Sequence, residues 1–391
     1  MIPSYRQWFN RNYTPAKYAR FLQLLQDRTG EETQFRHCET PVFLDPGLVS
    51  TLARYGREMV EQLLADPQYQ QESRDAIPEA YRAPGEDPRP LFLQADFGLD
   101  AKHEPKLVEI QGFPTLYAYQ PVMSECYREA YEIGANFATL PEGLQLFAYR
   151  SLLRRAIVGN HDPENVVLLE IDPSHQKTRA DFRCTEQMFG VPTVDIAAVR
   201  KHGNRLYYDR GGVEVPIRRI YNRAIVDELE RKGISLAFDF RDELDVEWAG
   251  HPNWFFRLSK FSLPYLRHSA VPRTEFLDRA QEVRDPERYV LKPLYSFAGA
   301  GVIVGPSAGE LAAIPPERRS QYILQERIDF EPLIETPAGH TKFEIRIMYI
   351  WLDELRAVNT IIRMGRGAQM GVDHNKGFEW VGASAAFIDG K

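Results

Sequence analysis

Leu91-Phe-Leu-Gln-Ala-Asp96, a polar run, and Lys106-Leu-Val-Glu-Ile-Gln111 make up the stretch on which the reading of the fold turns. Two apolar-rich segments around a short polar turn predict a β-hairpin. Residues two apart on a strand share a face, so Glu109 and Gln111 point the same way. Closure around residues 100 to 105 would set Asp96 nearly opposite Glu109. Opposed side chains come within about 5 Å, where two like charges repel unless something offsets them. A hard divalent cation would do so, and two carboxylates with one amide oxygen suit Mg²⁺. A solvated hairpin face carrying acids by chance accounts for the same residues, and a one-residue slip would separate the pair.

Three further constellations lie towards the C-terminus. Tyr289-Val-Leu-Lys292-Pro-Leu-Tyr-Ser296-Phe-Ala-Gly299-Ala-Gly301-Val-Ile-Val304 reads as a strand ending on a lysine, a small-residue loop, then another strand. Glycines let backbone approach a ligand, and their N–H groups can cradle phosphate oxygens beside Lys292. A plain hairpin with glycines at its turn is the alternative. In Tyr322-Ile-Leu-Gln325-Glu326 an apolar strand runs into Gln-Glu, suited to a nucleoside. Phe343-Glu344-Ile-Arg346 and Ala357 to Arg363 form a hairpin in which a two-residue loop would oppose Glu344 to Arg363. These residues make either an ion pair of small value or an arginine site for transferring phosphate.

Around these motifs, residues 14 to 66 and 142 to 158 read as helical, and Ile77 to Pro90 as a Pro-rich surface linker. Val166–Ile171, Val194–Val199 and Val215–Tyr221 are strand candidates in a strand–helix alternation over 160 to 250, which predicts a small α/β unit with a parallel sheet. The chain has 391 residues, 43% hydrophobic and 26% charged, and a net charge of −7. That composition supports a sizeable core and argues against a generic nucleic-acid binder. No apolar run is long enough to span a membrane, and no signal core opens the chain. Cys38, Cys126 and Cys184 are scattered, so a disulfide framework or zinc site is not expected and a cytoplasmic setting fits. No Walker A, HExxH or GxSxG motif occurs.

Together the segments resemble the ATP-grasp superfamily. The loop after Lys292, the Gln325-Glu326 hinge and the Glu344-Ile-Arg346 strand follow the family's order. The family's usual C-terminal E-x-N metal motif is missing, and Glu109-Ile-Gln111 stands near the N-terminus instead. That order resembles the circularly permuted branch of eukaryotic-type glutathione synthetase and glutathionylspermidine synthase. Arg218-Arg-Ile-Tyr-Asn-Arg223 is similar to the strand ending that branch's small substrate domain. Asn253-Trp-Phe-Phe-Arg-Leu-Ser-Lys260 is similar to the stretch carrying its first phosphate lysine. One family metal ligand, a Glu four residues after the loop lysine, is Ser296 here, and Asp96 is the expected substitute. The glutathione-contacting segments are not recognisable.

The resemblance implies an α/β (α+β) ATP-grasp fold. Residues 1–158 would be a helical region with the metal hairpin, 159–250 an α/β substrate lobe and 251–391 the nucleotide lobe. It implies an ATP-dependent carboxylate–amine ligase working through an acyl phosphate. ATP would meet Lys260, Lys292, Ser296, Gly299, Gly301, Gln325 and Glu326. Magnesium would meet Asp96, Glu109 and Gln111, the transferring phosphoryl group Arg346 and Arg363, and a substrate carboxylate Arg223. A non-catalytic nucleotide-binding protein and a small-molecule kinase are the alternatives. The partners would be small carboxylates and amines, with neither nucleic acid nor membrane, and a homo-oligomer is compatible with all of this.

Overall fold

The structure is a computed structural model that describes residues 2–280, 283–296, 299–371, 375 and 377–390. The helical reading of 14 to 66 resolves into two helices, Pro15–Thr29 and Pro46–Ala65, preceded by a further helix, Pro3–Asn12. Proline opens each, where its missing N–H costs nothing. Thr14 and Asp45 accept backbone N–H groups at the two later starts. The interruption has a local cause. Gly30 ends the second helix in the left-handed region, at φ 70°. The chain then runs extended, and Val42–Leu44 pairs in parallel with Ala386–Asp389 from the far end of the chain.

The site-bearing sheet is antiparallel at its centre. Its strand order is Gly382–Ser384, Leu355–Gly365, Gly339–Trp351, Phe92–Leu99, Pro105–Gln111, with Ile334–Thr336 also pairing with Gly339–Trp351. The predicted 91–111 hairpin is therefore an integral edge of the sheet that carries the predicted 343–363 hairpin. Asp96 lies opposite both Glu109 and Arg346. Apolar side chains from this sheet, the Pro46–Ala65 helix and the 254–276 region share one core.

A second sheet is parallel, in the order Glu247–Ala249, Arg219–Asn222, Val166–Glu170, Thr193–Asp195. Along its central strand Val166 and Leu168 face one core, and Val167 and Leu169 another, as expected of a sheet covered on both faces. The expected strand 215–221 divides in two. Val213–Ile217 joins a small antiparallel sheet, and Arg219–Asn222 enters the parallel one. The expected strand 194–199 is only Thr193–Asp195, because Asp195 caps a 3-10 turn that follows at once. A third sheet, Thr274–Phe276, Tyr322–Glu326, Tyr289–Pro293, Ile303–Val304, is antiparallel and carries Lys292 and Gln325. The expected linker at 77–90 is pinned down: Glu86 meets the buried Arg257 guanidinium, and Asn253 bonds both backbone groups of Ala83.

A candidate polyanion site at the junction of two sheets

Hairpin registers set the site. The first hairpin closes through residues 100 to 104, and Asp100 accepts the backbone N–H groups of Lys102 and Glu104. Leu99 pairs with Pro105 and Phe97 with Leu107, a register that by itself would place Val108 opposite Asp96. A bulge at Val108 adds one residue, so Glu109 faces Asp96 and Gln111 faces Gln94. The same bulge leaves the Val108 carbonyl to accept Lys292 Nζ at 2.9 Å. In the second hairpin Trp351 pairs with Leu355, a loop one residue longer than expected. A shift at Met348/Tyr349 compensates, and Glu344 faces Arg363 as expected.

Asp96 is fully buried and holds two arginines. Arg346 grips it with both nitrogen positions, Nη2 to Oδ2 at 2.6 Å, and Arg363 reaches the same Oδ2. Arg363 also contacts Glu344, while Arg346 Nη2 stands 3.5 Å from Glu109. Gln94, which lies on the same strand face as Asp96, accepts from Arg346 Nη1 at 2.8 Å. The Gln111 amide oxygen is satisfied when turned towards Arg346, at 3.0 Å. Both oxygens of Asp96 are thus engaged by guanidinium groups. Among the described residues no group of three or more His, Cys, Asp or Glu side chains is arranged to hold a metal.

The third sheet brings in two lysines. Lys292 is buried and donates to the Val108 carbonyl and to Gln325 Oε1. Gln325 in turn donates to the Leu107 carbonyl at 3.3 Å, so it ties the two sheets together, and Glu326 beyond it is exposed. Lys260 opens the 3-10 helix Lys260–Tyr265, which Ser259 and Ser262 cap reciprocally. Its Nζ donates to the Ser296 carbonyl at 2.6 Å and lies 4.0 Å from Glu109. Gly299 and Gly301 have φ of 76° and 70°, and a Cβ on Gly301 would come within 2.9 Å of Pro293. The two residues between Ser296 and Gly299 in the predicted loop lie outside the described residues.

The electrostatics follow from crowding charge in a dry place. Three carboxylates (Asp96, Glu109, Glu344) stand among four cations (Lys260, Lys292, Arg346, Arg363). Burial pushes the Asp96 carboxyl up, but Arg346 and Arg363 more than reverse this and hold it below its ordinary value. Burial wins at Glu344, with Asp96 and Glu109 adding repulsion against Arg363, and its pKa rises to about 7. Burial lowers Lys292 to about 8 and lowers Lys260 too, in each case against the pull of Glu109. Burial opposes the charge on Arg363, but Asp96 and Glu344 raise its pKa further. Cations outnumber anions, and among the described residues the lysines have only backbone and amide acceptors at hydrogen-bond distance and the buried Arg363 Nε has no partner. Such a set can take up a polyanion.

Arg223 stands apart from this cluster, at the end of the parallel strand Arg219–Asn222, buried between the Phe113 and Phe182 rings. It forms an ion pair with Asp181 at 2.6 Å. Of the expected site residues, Asp96, Glu109, Gln111, Lys260, Lys292, Gln325, Arg346 and Arg363 converge, Glu326 is exposed at a strand end, and Arg223 is paired elsewhere with Asp181. Gln94 and Asp181 were not singled out from the sequence. Gln94 carried a signal, its place two residues before Asp96 on one face; Asp181 lies in an ordinary helical stretch and carried none. A cleft of about 720 Å³, lined by Asp87, Arg219, Trp248, His251 and Trp351 among others, includes no residue of the cluster. Cys38, Cys126 and Cys184 are free and buried. Among the described residues no helix is long and apolar enough to cross a membrane.

No protein-family model matches the sequence, and no curated protein does. Among solved structures the fold resembles a glutathione synthetase-like effector, GSS30, from Globodera pallida in its apo form. The TM-score is 0.58, the sequence identity 10%, and the overlap covers 97% of this chain and 98% of that one.

Proposed function

We propose that the chain is an ATP-grasp protein of the permuted, glutathione synthetase-like kind and an ATP- and magnesium-dependent carboxylate–amine ligase. One observation carries this reading. Residues chosen from four stretches as distant as Asp96 and Arg363 converge, with Lys292 Nζ bonded to the residue next to Glu109. The overlap with a glutathione synthetase-like fold along nearly the whole chain supports it.

In this proposal Lys260 and Lys292 exchange their carbonyl acceptors for phosphate oxygens. The loop of Ser296, Gly299 and Gly301 supplies backbone N–H groups, and Glu326, exposed at the strand end beyond Gln325, faces the ribose. Glu109 and Gln111 would be the residues to hold magnesium, which would supply charge neutralisation for the phosphates. Asp96 reaches a cation only by releasing an arginine, so its principal task is to aim Arg346 and Arg363 at the transferred phosphoryl group. Glu344 is the next carboxylate in line for the metal. ATP would pass its γ-phosphoryl group to a carboxylate and leave as ADP, an amine would then displace phosphate from the acyl phosphate and lose a proton to give the amide, and the protein would supply position and charge.

ADP release is the test, measured with magnesium and panels of amino acids and polyamines. Turnover that needs both an acid and an amine supports a ligase, and turnover with one acceptor alone supports a kinase. A second reading, nucleotide binding without turnover, is favoured by Ser296 in the place of a metal-binding Glu and by the full engagement of Asp96. It predicts ATP affinity with no ADP release.

A further inference from the structure

A line of hydrogen bonds, buried at both ends and half-buried at Thr115, leads from the arginine cluster to Arg223. Arg346 donates to Gln94 Oε1 at 2.8 Å, and Gln94 Nε2 donates to the Thr115 carbonyl at 3.0 Å. Thr115 Oγ1 accepts from Arg223 Nη2 at 3.2 Å, and Arg223 Nη1 donates to Asp181 Oδ2 at 2.6 Å. Asp181 does more than neutralise Arg223. Its carboxylate also accepts the backbone N–H groups of Leu116, Ala118 and Tyr119, at 3.0 to 3.1 Å. Those residues belong to the segment that leaves Gln111, and Leu116 is held there at φ 60°, a conformation a leucine adopts only when its surroundings impose it. Asp181 sits on the helix Arg179–Phe189, which follows the central strand of the parallel sheet. One carboxylate, 1% exposed, thus fixes both the guanidinium at the edge of the parallel sheet and the backbone running out of the Glu109–Gln111 strand.

We propose that Asp181 is a positioning residue that couples the Arg223 edge of the parallel sheet to the Arg346–Asp96–Glu109 cluster; this rests on the ATP site proposed above. Asp181 acts through Arg223, Thr115 and Gln94. A small carboxylate drawing Arg223 from Asp181 would change the tension on Gln94 and Arg346, so the two sites sense each other through discrete contacts. Ionic recognition at Arg223 and phosphate recognition at Arg346 are then two ends of one device.

The test is calorimetry of Mg·ATP with the full chain, its Asp181→Asn variant, Gln94→Leu, and both changes combined, at a temperature where urea titration shows each variant folded. Asp181→Asn is expected to weaken Mg·ATP binding at least threefold, and to have no further effect when Gln94→Leu has already broken the line. Wild-type affinity in Asp181→Asn overturns the proposal, as does the same loss in both backgrounds, because a merely structural defect does not need Gln94. If Asp181→Asn fails to fold, Asp181→Asn with Arg223→Gln removes both buried charges and serves in the same comparison. A wild-type chain that binds no Mg·ATP overturns the proposed function, and this coupling with it. Wild-type binding with an indifferent Asp181→Asn overturns the coupling alone.

Discussion

Lys292 and Glu344 are two side chains of the cluster whose charge is finely balanced. Lys292 titrates near 8 against an ordinary 10.5 because it is buried. Between those values the unfolded chain holds more protons, so this lysine's contribution to stability rises with pH across about 8 to 10.5. Glu344 titrates near 7 against an ordinary 4.5, and there the folded state holds the extra proton. Its contribution therefore falls as pH rises from about 4.5 to 7. For a polyphosphate the two groups act in the same direction. Raising the pH ionises Glu344 and then discharges Lys292, so ATP without divalent cation is expected to bind more weakly from pH 6.5 to 9. Calorimetry near pH 8 in buffers of different ionisation enthalpy should show net proton uptake on binding, and Lys292→Met should abolish most of it. Lys292→Ala and Lys260→Ala should each weaken ATP binding by about 1.5–3 kcal/mol, the scale of a charged hydrogen bond. Lysine and glycine types at these positions were legible in the sequence. The engagement of Asp96 was not, because the arginines that grip it lie some 250 residues further along the chain.

At the scale of single elements, the Val108 bulge and the Asp96 pairings decide the geometry. The 91–111 hairpin was legible from its alternation and polar turn, and so was the pairing of Asp96 with Glu109. The bulge that produces this pairing was not, since no Gly or Pro marks Val108. Likewise the 343–363 hairpin was legible, while its longer loop and compensating shift cancel and leave no trace in the pattern. Deleting Val108 would remove the extra residue and leave Glu109 directly after Leu107, still opposite Asp96, so the pairing of the two carboxylates should survive while Lys292 loses its carbonyl acceptor. Asp96→Asn leaves the buried Arg346 and the half-buried Arg363 guanidinium groups short of charge, so urea denaturation should show a loss of about 3–5 kcal/mol. Glu109→Gln should behave oppositely. Glu109 is only half-buried, so its loss should abolish ADP release while leaving the urea midpoint close to that of the wild type.

At the scale of the whole molecule, the central fact is that chain order and spatial order differ. The N-terminal hairpin is an edge of the sheet built from residues 339 to 384, and Val42–Leu44 pairs with Ala386–Asp389. Strand–helix alternation made the parallel sheet at 166–249 legible, because local periodicity reports it. The break in the helical reading at 30–45 is marked locally by Gly30 and Pro46, but the strand that fills it was not legible, because its partner lies some 340 residues away. Binding of Mg·ATP to the intact chain, titrated by calorimetry beside Lys292→Ala, tests most directly the claim that this junction is a nucleotide site. Saturable one-to-one binding to the wild type, weakened at least tenfold in the variant, is the predicted result. No binding to the wild type, or equal affinity in both proteins, would contradict it.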